Sequence, residues 1–555
     1  MKGSRALLKM LEDRDVEYVF GYPGATVIPI YDEFIDSSVR HVLVRHEQCA
    51  AHMADGYARA CGKPGLCLAT SGPGTTNLVT GIATAYADSS PIIALTGQVG
   101  TNSLGMGAFQ EVDSYSLMMP VTKHNYRVLD INRLPHAVAE AWEICQNGRP
   151  GPVHIDMPVD QLNANIAEPL LYESFGVKPV SEDMSGLEQA IQWIIEAQKP
   201  IILVGGGAIG GNACEDVRKL AEMTNIPVVT PLMGLGAIPS SHPLNMGPLG
   251  MHGKMSSMEA FSSADLIIAI GTKFSDRTYS PHTVPGERCK VIHIDIDATE
   301  FNKHNRDSVN LLCDASKGTK ALIDALGGYS NNHINWDVEV KALMNRCKCD
   351  FNVDTDPITP KKVMYEINRL IDDDLIITTD VGQNQMWAMH YLDIHNPRQF
   401  ITSGSFGTMG FGLPSALGAK AAFPEKKVLT IVGDGGLQMV IQELATSVAE
   451  KFPVVICLLN NGWLGMVRQH QKFFWDKRYS GVELGADPDF CKIAEAYGAR
   501  GIHVEKSGEI HDALKDALDC GKTCLVEIMT DCEADIIPMI PGNKSTPIVK
   551  GSCIF

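Results

Sequence analysis

Gly433-Asp-Gly435, followed one βαβ length later by Asn460-Asn461, constrains this chain more than any other feature. Val428-Leu-Thr-Ile-Val432 is an apolar run of strand length, residues 437–450 carry apolar positions at helical spacing, and Val454-Val-Ile-Cys-Leu-Leu459 is a second buried run. A right-handed crossover brings both carboxyl strand ends to one edge of a parallel sheet, so Asp434 and Asn461 can converge on one ion. The glycines let backbone N–H groups approach phosphate oxygens, and a carboxylate with an amide oxygen suits Mg2+ bridging to those phosphates. Gly-Asp-Gly alone is an ordinary turn; the Asn pair at this spacing makes the pattern specific.

The rest of the chain repeats the alternation. Runs such as Tyr18-Val-Phe20, Gly65-Leu-Cys-Leu-Ala69 and Ile92-Ile-Ala-Leu95 alternate with helical stretches over residues 1–167. A second unit covers 188–328, a third 353–529, and 530–555 forms a C-terminal tail. The expected fold is α/β, with three doubly wound parallel-sheet domains, and 555 residues suit three or four domains of ~100–200 residues each. No run reaches the ~20 uninterrupted apolar residues of a membrane span. A net charge of −18 disfavours nonspecific binding to nucleic acid or anionic membranes. The 15 cysteines lack paired C-x-x-C spacing, Cys61 with Cys67 and Cys347 with Cys349 included, and read as reduced thiols. With an N-terminus that lacks a signal-peptide core, this places the chain in the cytoplasm.

Gly433-Asp-Gly-Gly-Leu-Gln-Met439, Ile441-Gln-Glu-Leu-Ala-Thr446 and Asn460-Asn-Gly-Trp-Leu-Gly-Met-Val-Arg-Gln469 resemble the catalytic subunit of acetolactate synthase, a thiamine diphosphate (ThDP) enzyme. The resemblance covers essentially the whole chain and implies pyrimidine-binding, central and diphosphate-binding domains in that order. It implies Mg2+ held by Asp434, Asn461 and the backbone carbonyl of Trp463. It also implies ThDP lodged between the first domain of one subunit and the third of its partner. A homodimer is then the minimum active unit, and a homotetramer and a separate small regulatory subunit fit the same family pattern.

Glu47 heads His46-Glu-Gln-Cys-Ala-Ala-His-Met-Ala-Asp-Gly-Tyr-Ala-Arg59, whose histidines are too far apart for H-E-x-x-H. Alone, it also suits an exposed first helical turn. The resemblance makes it the glutamate that hydrogen-bonds N1′ of the aminopyrimidine, in a pocket whose apolar character tunes proton transfer. Tyr22, Pro23 and Gly24, with Gly72, Pro73 and Asn77 of Thr70-Ser-Gly-Pro-Gly-Thr-Thr-Asn77, would complete the pyrimidine side. Gly382, Gln383, Gln385, Gly407, Met409, Gly433, Gly435, Gly436 and Met466 would line the rest of the ThDP site. Met409 is implied as the prop beneath the bent cofactor, although an isolated methionine is usually core packing. Phe109, Gln110 and Arg277 match substrate-region positions, with Gln110 a second catalytic residue and Arg277 a partner for the acceptor carboxylate. An arginine following an aspartate also reads as a local salt bridge.

In the second unit, Gly205 to Gly210 satisfies G-x-G-x-x-G after a strand. The next run, Pro227-Val-Val-Thr230, ends without the acidic ribose partner, which disfavours NAD. The resemblance instead implies FAD with no net redox step, held by Gly205, Gly206, His252, Gly271, Asp295 and Asp314. Departures from the family pattern are Lys273 for arginine, Val159 for lysine, His470 for tryptophan, Asn384 for histidine and Ala25 for glycine. His470 changes both the size and the polarity of the implied acceptor pocket; acid–base and pocket-lining roles are both open to it. The implied activity is decarboxylation of pyruvate and transfer of the hydroxyethyl unit to a second 2-keto acid. The product would be acetolactate or acetohydroxybutyrate, as in branched-chain amino-acid biosynthesis. A 2-keto acid decarboxylase, a carboligase with another acceptor and a noncatalytic ThDP-fold subunit are the alternatives. Intact Glu47, Asp434 and Asn461 count against the last.

Overall fold

The computed structural model describes residues 1–167, 181–279, 285–286, 288–303, 307–329, 333–346, 351–485 and 488–542. The first domain holds β1 (Tyr18–Gly21), β2 (Arg40–Leu43), β3 (Gly65–Ala69), β4 (Ile92–Gln98), β5 (His124–Arg127) and β6 (Val153–Pro158), in the order β2-β1-β3-β4-β6-β5. The central domain holds β7 (Pro200–Val204), β8 (Val228–Thr230), β9 (Asn245–Pro248), β10 (Leu266–Ile270), β11 (Lys290–Asp295) and β12 (Ser308–Leu312), in the order β12-β11-β10-β7-β8-β9. In the third, β13 (Leu375–Thr379), β14 (Phe400–Ile401), β15 (Lys427–Gly433), β16 (Val455–Asn460), β17 (Arg500–Val504) and β18 (Cys524–Met529) run β14-β13-β15-β16-β18-β17. Neighbouring strands in each sheet pair in parallel.

The first and third sheets therefore share one strand order, while the central sheet has the order of dinucleotide-binding folds. The central strands are apolar throughout because helices cover both faces; β7, β10 and β16 are buried along their whole length. The helix expected over 437–450 is two pieces, Asp434–Gln438 and Glu443–Glu450. The β-branched pair Val440-Ile441 sits at the break, and Glu443 anchors the second piece by accepting from the Arg45 N–H at 2.9 Å.

One core is common to the first and third domains, where the Glu47–Cys61 helix lies against Gly412–Ala422. Two glycines set that approach: a Cβ on Gly56 would lie 2.2 Å from the Ser415 carbonyl oxygen, and one on Gly418 2.0 Å from that of Met53. Lys273 joins all three domains by donating to the Ala87 carbonyl and to Ser405 Oγ. The Ile334–Arg346 helix lies past residue 328 and buries Trp336, Val340 and Leu343 in the central core, so that core continues beyond the expected boundary.

Of the tail, residues 530–542 are described and cross from the third domain to the central one, where Ile540 joins the apolar core. Residues 543–555 lie outside the described residues, as do Cys347 and Cys349. Every described cysteine is free. No helix among the described residues is long and apolar enough to cross a membrane.

Candidate active site

β13, β15 and β16 are neighbours, and each is followed by a helix beginning at the carboxyl edge of the sheet: Gln383–Tyr391, Asp434–Gln438 and Gly465–Phe474. Their N-termini converge on one cavity, which makes it a natural anion site. Gly382, Gln383, Asn384, Met409, Gly433, Asp434, Gly435, Gly436, Asn461, Trp463 and Met466 all line it. Asp434 is buried; its Oδ1 accepts from Gly435 N at 2.9 Å and its Oδ2 from Gly462 N at 2.7 Å. Asn461 Oδ1 accepts from Trp463 N at 3.0 Å. Two ligand-type oxygens therefore flank a turn already shaped by backbone donors. Nothing lies within 4 Å of a Cβ built on Gly433, whereas one on Gly436 would meet Asp380 Oδ1 at 2.3 Å. Gly433 thus leaves room for a ligand, and Gly436 makes room for a neighbouring side chain. Gln385 and Gly407 do not line the cavity; the Gln385 amide donates to Thr402 Oγ1 and the Ser403 carbonyl.

Asp380, fully buried two residues before Gly382, organises this side of the cavity. Its Oδ1 accepts from Val381 N at 2.8 Å, both oxygens accept from Gly410 N at 3.0 Å, and Oδ2 accepts from Gly412 N at 3.0 Å. One carboxylate thereby clamps the loop that presents Met409 to the cavity. Burial pushes the Asp380 carboxyl pKa up, and these N–H donors pull it back.

On the first domain a second cluster forms. Glu47 opens its helix behind His46, whose Nδ1 accepts from Gln48 N, and Glu47 Oε2 accepts from Asn77 Nδ2 at 2.9 Å. Gly24 packs on Thr70, with a built Cβ 2.4 Å from Thr70 Cβ. Gly72 (φ +60°) packs against the backbone of Gln110, itself left-handed at φ +59°. The left-handed turn explains the glycine, since a Cβ there would lie 2.7 Å from the Gln110 carbonyl oxygen. Tyr22 and Pro23 are exposed beside this cluster, and Phe109 is 85% exposed. No first-domain residue lines the cavity on the third domain.

A third group meets where the central domain, the third domain and the tail touch. Arg277 Nη1 donates to Met251 Sδ at 2.8 Å, and its charge is felt by His470, whose pKa is lowered by burial and then by Arg277. His252 is buried with its Nδ1 3.0 Å from the Pro538 carbonyl oxygen, and its Nε2 has no hydrogen-bond partner among the described residues. Burial holds His252 neutral by lowering its pKa to about 3. The tail is fixed here from both sides: Gln469 Nε2 donates to the Ile536 carbonyl and its Oε1 accepts from Ile536 N, each at 2.9 Å. Arg277 and His470 were expected together on the acceptor side, but the docking of the tail through Gln469 and His252 had no sequence signal; Gln469 stood in a quoted motif without a role.

Residues 1–117 match the family described as thiamine pyrophosphate enzyme, N-terminal TPP binding domain; 187–322 match its central domain and 380–528 its C-terminal TPP binding domain. The chain is 44% identical over 570 residues to a probable acetolactate synthase large subunit of Methanococcus aeolicus, covering 99% of this chain and 95% of that one. It is 42% identical over 563 residues to the acetolactate synthase large subunit of Corynebacterium glutamicum, covering 99% and 90%. This chain belongs to the acetolactate synthase large-subunit family of thiamine pyrophosphate enzymes. The helix N-termini and open Gly433 fit the diphosphate of that cofactor, and Asp434 with Asn461 fits the donor set of a magnesium ion.

The remaining family expectation concerns the central domain. Gly205 begins the turn at the switch point of the sheet, between β7 and β10. A Cβ on Gly205 would lie 2.3 Å from the Gly271 carbonyl oxygen, and Gly271 (φ +56°) packs against Gly207, so these glycines first bring helix and strand together. A Cβ on Gly206 would lie 3.1 Å from the Met233 carbonyl oxygen. Asp295 Oδ1 accepts from Asp297 N at 2.9 Å, and Asp314 caps the Ala315–Ala325 helix by accepting from Ser316 N. The unpartnered acceptor His252 Nε2 and the switch-point turn fit a bound dinucleotide. Lys273 is committed to Ala87 and Ser405, so its family position serves domain docking here.

Proposed function

We propose that this protein is the catalytic large subunit of an acetolactate synthase. It would take the hydroxyethyl unit of decarboxylated pyruvate to a second 2-keto acid, giving acetolactate or acetohydroxybutyrate. The observation that carries this reading is the convergence of Asp434, Asn461 and three helix N-termini on one cavity in a chain of this family. When bound, thiamine diphosphate supplies the electron sink for loss of CO2. Asp434, Asn461 and the Trp463 carbonyl would hold Mg2+ against the diphosphate, and Gly433 would let the backbone reach it. Met409, Leu464 and Met466 line that side of the cavity and would keep water from the bound cofactor.

Glu47 would hold the proton at N1′ of the aminopyrimidine through Oε1, since Oε2 is engaged by Asn77. Arg277 would pair with the acceptor carboxylate, and His470 would shape the acceptor side. Gly205, Gly206, His252, Gly271, Asp295 and Asp314 would hold FAD in a structural role. The exposed Tyr22 and Phe109 around the Glu47 cluster favour a homodimer or homotetramer that brings the cluster to a partner's cavity, and a small regulatory subunit and a cytoplasmic location belong to the same reading.

The test is product analysis with pyruvate, thiamine diphosphate and Mg2+, with and without 2-ketobutyrate, using Glu47→Gln as control. Acetolactate that disappears in the variant is the expected result. Acetaldehyde without acetolactate would make the protein a decarboxylase instead.

A further inference from the structure

β17 is an edge strand, and its register with β18 places His503 directly beside Glu527. Partners in a parallel pair share a face, so both side chains lie on one side of the sheet. The Phe490–Ala496 helix covers that face, and Gly501 admits it closely: a Cβ there would lie 2.7 Å from both Cα and Cβ of Cys491. A thiol, an imidazole and a carboxylate are thereby brought together from a helix and two strands. Glu527 Oε2 lies 3.0 Å from His503 Nδ1 and 3.7 Å from Cys491 Sγ, and the three ligand atoms all fall within 4.8 Å of one another.

Those separations lie near a metal's requirements: the 3.7 Å sulfur–oxygen distance fits as it stands, and the 3.0 Å imidazole–carboxylate pair would open by a few tenths of an ångström. With bonds of about 2.3 Å to sulfur and about 2.0–2.2 Å to nitrogen and oxygen, a tetrahedral ion sets its ligand atoms about 3.3–3.7 Å apart. The surroundings match as well. Metal-binding imidazoles commonly donate their second N–H to a carboxylate, and His503 Nε2 sits 3.3 Å from Glu505 Oε1. Glu527 is buried, and its other oxygen accepts from Asn460 Nδ2 at 2.9 Å, which fixes the orientation of Oε2. His503 is 45% exposed at its side chain, so water can reach a fourth coordination position.

We propose that Cys491, His503 and Glu527 form a second divalent-metal site, separate from the diphosphate site and selective for a thiophilic transition metal such as zinc. Coordination uses the thiolate and a neutral imidazole that keeps its N–H on Nε2, so Cys491, and a doubly protonated His503 where present, each release one proton to solvent as the metal bonds form, and no electrons are exchanged. The mixed sulfur, nitrogen and oxygen donors separate this site from the all-oxygen magnesium position, which a hard cation prefers. No sequence spacing announces it, because the ligands are united by strand register alone.

The test titrates the holoenzyme, saturated with thiamine diphosphate and Mg2+, with Co(II). The expected result is one equivalent per chain with thiolate-to-cobalt charge-transfer absorption and tetrahedral visible bands, both displaced by Zn(II). Cys491→Ser abolishes the charge-transfer band, and Glu505→Gln, a surface change that leaves folding intact, weakens binding about 10-fold to 100-fold. Among the described residues, a competing thiol pair is Cys520 with Cys524, whose sulfurs lie 3.1 Å apart. Persistence of the band in Cys520→Ser is expected; its loss there, its survival in Cys491→Ser, or binding without any thiolate band would overturn the proposal.

Discussion

Replacing Asp380 by Asn tests whether one carboxylate holds the cofactor cavity in shape. The side chain keeps its outline, so volume is unchanged and only hydrogen bonding and charge differ. With the amide oxygen in the place of Oδ1, the Val381 and Gly410 donors are retained, but an N–H then faces Gly412 N, which Oδ2 now receives at 3.0 Å. A lost bond to a charged acceptor contributes about 1.5–3 kcal/mol, and a buried donor left unpaired costs a similar amount on overlapping accounts, so about 3 kcal/mol falls on the 403–412 loop. At about 1.4 kcal/mol per tenfold, the thiamine diphosphate Kd rises by up to roughly 100-fold if closing the loop is required for binding. Trp387 and Trp463 line the cavity, so quenching of intrinsic fluorescence in saturating Mg2+ reads the affinity directly. Circular dichroism guards against global unfolding. Burial raises the Asp380 pKa, and a neutral carboxyl would already set an O–H against these N–H groups. A Kd within about threefold of wild type would refute the carboxylate clamp.

Gly418→Ala forces a methyl to within 2.0 Å of the Met53 carbonyl at the helix crossing; overpacking of about 1–3 kcal/mol or more is expected as a lower thermal midpoint in calorimetry. Burial, then Arg59, lowers the His52 pKa to about 3, below its unfolded value near 6.5, so the unfolded state protonates first and stability is lost as pH falls below about 6.5. At pH 5 this amounts to about 2 kcal/mol, so in urea denaturation His52→Gln should lose that much less than wild type between pH 7 and pH 5. Arg277→Ala should raise the KM for the acceptor keto acid by about tenfold or more while leaving cofactor affinity unchanged, as steady-state kinetics with varied acceptor would reveal.

The strands at 65–69 and 200–204 were legible because short, wholly apolar runs bounded by glycine or proline have few other outcomes in a chain this long. Asp434 and Asn461 were legible for a topological reason: a parallel crossover brings successive strand ends to one edge. Contacts made by side chains reaching between segments were not. Asp380 acts on Gly410 and Gly412, some 30 residues away, and nothing in its own surroundings announces this. The Glu47–Asn77 bond joins two helix starts whose motifs are visible singly, while their pairing depends on strand order. The break at Val440 is set by Glu443 reaching Arg45 of another domain, a tertiary contact that overrides helical periodicity.

The repeated sheet order leads to a last prediction. Turns after β1 and β3 carry Tyr22–Gly24 and Thr70–Pro73, and those after β13 and β15 carry Asp380–Gly382 and Asp434, so the two domains present equivalent switch points with different chemistry. Within one chain, no first-domain residue lines the cavity that holds Asp434. On the proposed reading a two-fold partner brings them together, each active site taking Glu47 from one chain and Asp434 from the other. Glu47→Gln and Asp434→Ala are each expected to be inactive. In a mixed dimer, one site receives both lesions and the other receives neither. Random pairing of equal amounts makes half the dimers mixed, with one working site of two, so coexpression should restore about one quarter of wild-type activity. If each chain completes its own site, every site carries a lesion and coexpression restores nothing.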